Sequence, residues 1–246
     1  MRVAAVIQIA PLLSSAGIPQ AVKIGLALFT TLVIFPWVKA LGYDFPTNIV
    51  DYFLVVVGEA LIGIIIGFFL ALIYVIFQVG GEFFAFQMGF GASSVFDPLA
   101  QVEVPLIGQY LNLVAMLVFV TVGGMQKIFL SGIYNSFKTV RVAQLVTGKD
   151  FLLRFFAGSM GKLFENALTI AFPIVGTLFL ISVVMGLLAK AAPQMNLLMM
   201  GFPVAIGVAF LSLFLILPFL TDATARLIEA SFRELGGIFG TLAGGR

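Results

Sequence analysis

Few side chains in this sequence could do chemistry. The 246 residues contain no Cys and no His, which removes thiolate and imidazole ligands for zinc and haem as well as Cys/His nucleophile pairs. Serine and paired-acid chemistry remain. Ser93 and Ser94 have no Lys nearby in sequence, and Asp97 precedes Pro98 with no second acid at a motif spacing. We therefore predict no catalytic residue, no metal site and no cofactor, and we do not expect an enzyme.

Two acids in apolar surroundings form a second group of candidates. Glu59 stands inside the apolar run 52–80, and Glu82 follows that run. Because an ionised side chain at mid-bilayer costs at least ~2.5–3.5 kcal/mol, Glu59 should either face a partner group or water, or mark the end of a helix near the membrane interface. A buried Glu59 that binds a proton or ion would suit a secondary transporter. That alternative requires an inverted repeat, and the two halves show no convincing correspondence.

The composition indicates that lipid is the solvent of the elements that carry these residues. Hydrophobic residues make up 61% of the chain and charged residues 10%, and the mean hydropathy is +1.18. Soluble domains are roughly 45–50% apolar and ~25% charged. Four runs lack an ionised side chain and reach the ~20 residues that a helix needs to cross ~30 Å of hydrocarbon. They are residues 60–81, 104–126, 166–189 and 191–221, and residues 3–22 and 24–38 add two more runs.

We therefore predict an all-α, polytopic membrane protein of long, kinked helical hairpins with five or six apolar segments. Some helices are too long for a bilayer, since residues 52–81 alone would extend about 45 Å at ~1.5 Å per residue. Residues 104–137 and 191–232 raise the same difficulty. Strong tilt, kinks at Pro203 and Pro218, or projection out of the bilayer against partner proteins would resolve it.

The charge distribution predicts the orientation. Residues 138–162 contain five Lys or Arg and one acid, whereas residues 81–103 contain three acids and no base. The positive-inside bias places the first segment in the cytoplasm and the second on the opposite side. The polar or small positions of residues 150–165 recur at helical spacing, so the basic amphipathic segment, residues 138–165, should lie at the cytoplasmic surface. The tail, residues 222–246, with Arg226, Arg233 and Arg246, also returns to the cytoplasm.

A polar and glycine-containing loop, residues 82–105, interrupts the apolar sequence. Gly89 and Gly91 give a flexible backbone, and Asp97-Pro98 is a turn-forming pair. Because lipid offers no partner to loop N–H and C=O groups, the loop must be held by protein or line an aqueous space. It either occludes a channel or packs as an external hairpin on its own helices. Its bulk comes from Phe84, Phe86, Phe90 and Phe96.

A set of short motifs along the chain resembles the FliR family of flagellar biosynthetic export-gate proteins, which are related to the T-type subunits of virulence type III secretion systems. Members usually carry more apolar sequence before the position of Arg2, so we expect this chain to begin inside its first helix. The motifs, in chain order, are Ala10-Pro11, Ile18-Pro19 with Lys23, Gly58-Glu59, Gly80-Gly81-Glu82, Gln87-Met88-Gly89, Phe96-Asp97-Pro98, Pro105 and Pro193-Gln194-Met195-Asn196.

The resemblance implies an assembly. Family members join two smaller membrane partners, the P-type and Q-type gate proteins, in a helical and roughly conical export gate that passes unfolded proteins. The expected location is the bacterial inner membrane at the flagellar basal body, with no nucleic-acid partner. The tail, with Arg226 and Arg233, resembles the region that faces the B-type substrate-specificity switch protein.

The same resemblance implies two sites within one integral membrane export-gate domain, residues 1–246. The plug-like loop, residues 81–105, would obstruct the pore and limit leak. A hairpin tip would form a subunit contact near the pore entrance. The plug residues are Gly89, Phe90, Gly91, Phe96, Asp97 and Pro98, and the tip residues are Pro193, Gln194, Met195 and Asn196.

Overall fold

The computed structural model describes residues 1–15, 17–43, 46–89, 106–192, 194 and 197–244. Every regular element in these ranges is helical, which confirms the predicted all-α class. The order is α1 (Arg2–Ile9), α2 (Gln20–Ala40), α3 (Ile49–Gln87), α4 (Leu106–Thr121), α5 (Gly124–Lys127), a π-helical segment (Ile128–Tyr134), α6 (Asn135–Thr139), α7 (Val142–Thr147), α8 (Lys149–Ala191) and α9 (Leu197–Gly244).

Four of the described helices, namely α2, α3, α8 and α9, are long and apolar enough to cross a membrane, and α4 with residues 124–139 adds a fifth if the bent pair is one span. This confirms a polytopic membrane protein. The predicted run 3–22 is not a span, because α1 ends at Ile9. Pro11 biases the preceding residue towards an extended backbone, and Ala10 has φ −58° and ψ 137°.

Three helices exceed the thickness of a bilayer. α3 has 39 residues, α8 has 43 and α9 has 48, which correspond to about 58, 64 and 72 Å at ~1.5 Å per residue. Pro203 and Pro218 lie inside α9 without ending it. The excess length expected from the sequence is therefore present in continuous helices.

The predicted crossing of residues 104–137 is wrong as a single helix, because it bends by 73° between α4 and α5. Gly123 adopts φ +71° at the break, a conformation that costs glycine nothing. Gly124 follows it against the buried ring of Phe119, where a Cβ would stand 2.5 Å from three ring atoms. The Gly-Gly pair thus supplies both the turn and the close approach.

The predicted loop 81–105 starts later than expected. Residues 81–87 continue α3, and a turn at Met88 and Gly89 follows. Gly81 stays helical because α4 approaches it closely, with the Cα of Gly108 2.6 Å from the position of a Cβ. Residues 90–105 lie outside the described residues.

The chain forms two compact units. The first unit contains residues 1–74, 119–159 and 226–246, and its core includes Ile66 of α3 and Leu235 of α9. In this unit, α1 packs on Gly63 and Gly67 of α3, with the backbone of Arg2 directly against Gly63. The second unit contains residues 75–118 and 160–225, and it includes the Gly81 contact between α3 and α4.

Candidate functional site

A buried ion pair lies in the first unit, where α1 meets α3. The side chain of Arg2 is 0% exposed and that of Glu59 is 14% exposed. Arg2 Nε donates to Glu59 Oε2 at 2.7 Å, and Nη2 donates to Oε1 at 2.9 Å. Two parallel charge-assisted hydrogen bonds of this kind give geometric specificity as well as energy.

The rest of the Arg2 guanidinium is satisfied by α6 and the residues beside it. Nη1 donates to Ser136 Oγ at 3.1 Å, and Nη2 donates to the Val140 carbonyl at 3.0 Å. The guanidinium also lies over the Phe137 ring, 4.2 Å from its centroid. Ser136 Oγ in turn donates to the Ile133 carbonyl at 2.6 Å. Arg2 therefore ties α1, α3 and α6 together through groups that are all paired.

This pairing gives Glu59 a partner inside the protein. The carboxylate faces Arg2, 57 residues away in sequence. The position of Glu59 relative to the membrane interface stays a prediction. Reasoning from the sequence identified Glu59 but missed Arg2. The sequence did contain a signal for this partner. An acid in an apolar segment needs a cation nearby, and only a few Lys and Arg residues lie outside the basic segment and the tail.

Tyr43 and Arg141 form an outer layer around the same junction. The Tyr43 hydroxyl donates to the Phe137 carbonyl at 3.1 Å, and burial raises the pKa of this phenol above its ordinary value. Tyr43 therefore remains a hydrogen-bond donor at neutral pH. The Arg141 guanidinium lies 5.6 Å from the Tyr43 ring centroid, and Nη2 donates to the Leu41 carbonyl at 3.5 Å.

These contacts fix an extended junction between α6 and α7. Val140 has φ −115° and ψ 119°, and Arg141 has φ −103° and ψ 156°. Gly58 of α3 packs so closely against Val142 that no Cβ would fit there. The network of Arg2 and Glu59 thus positions the start of the basic segment, residues 138–165.

Glu82, the second predicted intramembrane charge, is in the other unit. It lies exposed near the end of α3, where Gln78 Nε2 donates to its Oε1 at 3.4 Å. The structure therefore does not bring Glu59 and Glu82 into one site. A second ion pair joins Lys127 to Glu229 at 3.8 Å, and both side chains are substantially exposed.

The predicted plug is described only at its first residue. Gly89 forms a turn with φ +90°, and the Phe202 ring of α9 occupies the space of a Cβ. Glycine is therefore required at this position for backbone and packing reasons. The other five predicted plug residues lie outside the described residues, namely Phe90, Gly91, Phe96, Asp97 and Pro98.

The predicted hairpin tip connects α8, which ends at Ala191, to α9, which begins at Leu197. Gln194 is an exposed turn residue there. Pro193, Met195 and Asn196 lie outside the described residues. Across the described ranges, no group of three His, Cys, Asp or Glu residues could hold a metal ion.

The long apolar helices define this protein as a polytopic helical membrane protein. Residues 1–231 match the sequence model of the bacterial export proteins, family 1. The chain therefore belongs to this family of export proteins.

Individual relatives agree with the family match. The sequence is 32% identical over 218 residues to the flagellar biosynthetic protein FliR of Bacillus subtilis, which covers 87% of this chain and 82% of that protein. It is 33% identical over 189 residues to the protein of the same name from Borreliella burgdorferi, covering 76% and 70%. The Escherichia coli FliR protein is 29% identical over 243 residues, covering 98% and 91%. These relatives confirm the resemblance to the FliR family.

Proposed function

We propose that this chain is a flagellar biosynthetic export protein and a core subunit of the protein export gate in the bacterial inner membrane. The observation that carries the proposal is similarity to flagellar FliR proteins over nearly the whole chain, up to 98% of it in the Escherichia coli comparison. Because the similarity spans all the long helices, it concerns the whole architecture. The substrates in this proposal are unfolded proteins that pass through the assembled gate.

The shape and surface of the helices support assembly with the P-type and Q-type gate proteins. α8 and α9 are about 64 and 72 Å long, whereas lipid covers only ~30 Å of a helix. Their faces carry exposed aromatic side chains, with Phe172 73% and Phe214 74% exposed. Lipid and partner helices together are needed to cover this surface.

We assign the plug to the loop that begins at Gly89. α3 ends at Gln87, and Gly89 forms a turn directly after it, with Phe202 packed against it. Phe90, Phe96 and the Asp97-Pro98 pair follow as the groups that would fill the pore when no substrate is present.

We propose that the tail, residues 222–246, faces the B-type partner. Arg226 and Arg233 are exposed on α9, while Ile228 and Leu235 of the same helix are buried in the first unit. The exposed face of this amphipathic end of α9 also carries Glu229, so it offers charges of both signs to a polar surface of another protein.

Secondary transport through Glu59 has less support. The carboxylate is held by two hydrogen bonds from Arg2, and that guanidinium is fully buried. An ion or proton that used Glu59 would have to displace this buried cation, which leaves an uncompensated charge in an apolar site.

Co-expression with the P-type and Q-type proteins of the same bacterium tests the core-subunit role. After mild detergent extraction, a tag on this chain should recover both partners, and the intact mass should correspond to one defined complex. Recovery of the chain alone, with both partners in the unbound fraction, would refute that role. Flagellin secretion by a strain that lacks this gene would refute the export function itself.

The plug is tested separately on the assembled complex. Deleting residues 89–96 should raise ion leak through vesicles that contain the complex, because the obstructing loop is removed. The intact mass of the variant complex serves as the control for assembly. An unchanged leak from a correctly assembled complex would refute the plug and leave the core-subunit role standing.

A further inference from the structure

Aromatic and basic side chains meet where α2 ends. We call this cluster the collar and define it as Trp37, Tyr43, Tyr134, Lys138 and Arg141. The Trp37 and Tyr134 rings meet edge to face with centroids 5.4 Å apart, and Trp37 is 56% exposed. Tyr134 is the last residue of the π-helical segment, and the exposed Lys138 follows it by four residues in α6. The exposed Arg141 lies over the Tyr43 ring.

The collar lies near the C-terminal end of α2, where we expect the helix to leave the hydrocarbon layer. α2 has 21 residues, which correspond to about 32 Å, close to the thickness of the hydrocarbon layer. Trp and Tyr are enriched where such a helix leaves the hydrocarbon. Most of the α2 surface is exposed and apolar, including Phe29 and Val33, which lie two turns and one turn before Trp37. An acyl chain can therefore follow α2 down from the collar.

The collar contains two exposed cations, Lys138 and Arg141. Among the described residues, no acid forms an ion pair with Lys138 or Arg141. Glu59, the acid of the adjoining network, is already paired with Arg2. The positive-inside bias places residues 138–162 in the cytoplasm, where the leaflet carries anionic lipids.

We propose that the collar is a binding site for an anionic phospholipid of the cytoplasmic leaflet. Lys138 and Arg141 bind its phosphate, Trp37 and Tyr134 pack beside the glycerol region, and the acyl chains run along α2. This site is independent of the proposed export function, since it rests on the surface around the end of α2 and α6 and on no partner protein.

The chain carries its own probe, because Trp37 is its sole tryptophan. The full chain is reconstituted into phosphatidylcholine vesicles that contain an equal fraction of either brominated phosphatidylglycerol or brominated phosphatidylcholine. Bromine quenches Trp37 fluorescence at short range, so the ratio of quenching gives the relative association of the two lipids. We expect brominated phosphatidylglycerol to associate about 25-fold better, because each of the two cations near an anionic surface is worth ~1 kcal/mol, or about fivefold.

Variants test whether the two cations are responsible. Lys138→Gln and Arg141→Gln should each lower the preference about fivefold, and the double variant should remove it. Arg154→Gln is the matched control, because Arg154 is exposed in the same basic segment but outside the collar. Lys138→Gln alone keeps the test valid if Arg141→Gln disturbs folding, because the Lys138 side chain is exposed.

Three results would overturn the proposal. Equal quenching by both brominated lipids would show that the collar does not select an anionic headgroup. A loss of preference in Arg154→Gln as large as in Lys138→Gln would assign the effect to the overall charge of the segment. No quenching by either lipid would show that protein, not lipid, covers Trp37.

Discussion

Replacing Glu59 by Leu should destabilise the first unit strongly, because it leaves the Arg2 guanidinium buried without its counter-ion. Removal of one partner from a buried ion pair costs about 3–5 kcal/mol. Arg2 is 0% exposed, but it keeps the Ser136 hydroxyl, the Val140 carbonyl and the Phe137 ring as partners. We therefore expect the lower end of that range, about 3 kcal/mol.

The double variant Arg2→Met with Glu59→Leu distinguishes an ion pair from simple loss of packing. Arg2→Met alone strands Glu59 at about 3 kcal/mol and removes the donor to the Ser136 hydroxyl and the Val140 carbonyl at about 1 kcal/mol each, so it should cost about 5 kcal/mol. An apolar pair of similar volume is often tolerated in place of a buried ion pair, so the double variant keeps only the loss of those two hydrogen bonds and should cost about 2 kcal/mol. That is far below the roughly 8 kcal/mol sum of the single variants.

The free energy of unfolding can be measured in mixed micelles of dodecyl maltoside and sodium dodecyl sulfate, with helicity followed by far-ultraviolet circular dichroism. Glu82→Leu is the matched control, because Glu82 is an exposed acid on the same helix, and it should change stability by no more than ~0.5 kcal/mol. Additive effects of Arg2→Met and Glu59→Leu, or a cost below ~1 kcal/mol for Glu59→Leu, would refute the coupling.

Two further substitutions test local packing in the same micelle assay. Gly124→Ala should cost about 1–3 kcal/mol, because its Cβ would stand 2.5 Å from the buried Phe119 ring. Gly176→Ala is the control, because its Cβ would meet no atom within 4 Å. It should be neutral or stabilise α8 by up to ~1 kcal/mol. If the two variants change stability equally, the contact with Phe119 is not the cause of the loss. Tyr43→Phe should cost about 0.5–1.5 kcal/mol, because the Phe137 carbonyl loses its donor; an unchanged unfolding curve would show that this hydrogen bond does not matter.

The helical class and the excess helix length follow from the sequence because long apolar runs report burial in lipid or protein directly. The break at Gly123 does not follow, and the comparison with another Gly-Gly pair shows why. Gly80-Gly81 stays helical because Gly81 packs against Gly108 of α4. Gly123-Gly124 turns with a positive φ beside Phe119. The two Gly-Gly pairs look the same in sequence, and only the residues packed against them in the folded protein distinguish them.

The candidate sites could be predicted only in part, again because tertiary neighbours are not visible in the sequence. A lone acid in an apolar helix predicts that it has a partner. That this partner is Arg2 depends on how α1 packs against Gly63 and Gly67. The plug and the hairpin tip rest on the family resemblance. They stay predictions, since most of their residues lie outside the described ranges.

The contacts of Arg2 also order events during synthesis of the chain. Its carboxylate partner is made 57 residues later, roughly 3–11 s at ~5–20 residues per second. The Val140 carbonyl is made 138 residues later, roughly 7–28 s after Arg2. For this interval the nascent N-terminal helix carries a cation that the finished protein has not yet enclosed. α1 can pack on Gly63 and Gly67 once α3 is made, but the complete set of Arg2 contacts must wait until the ribosome has passed residue 140.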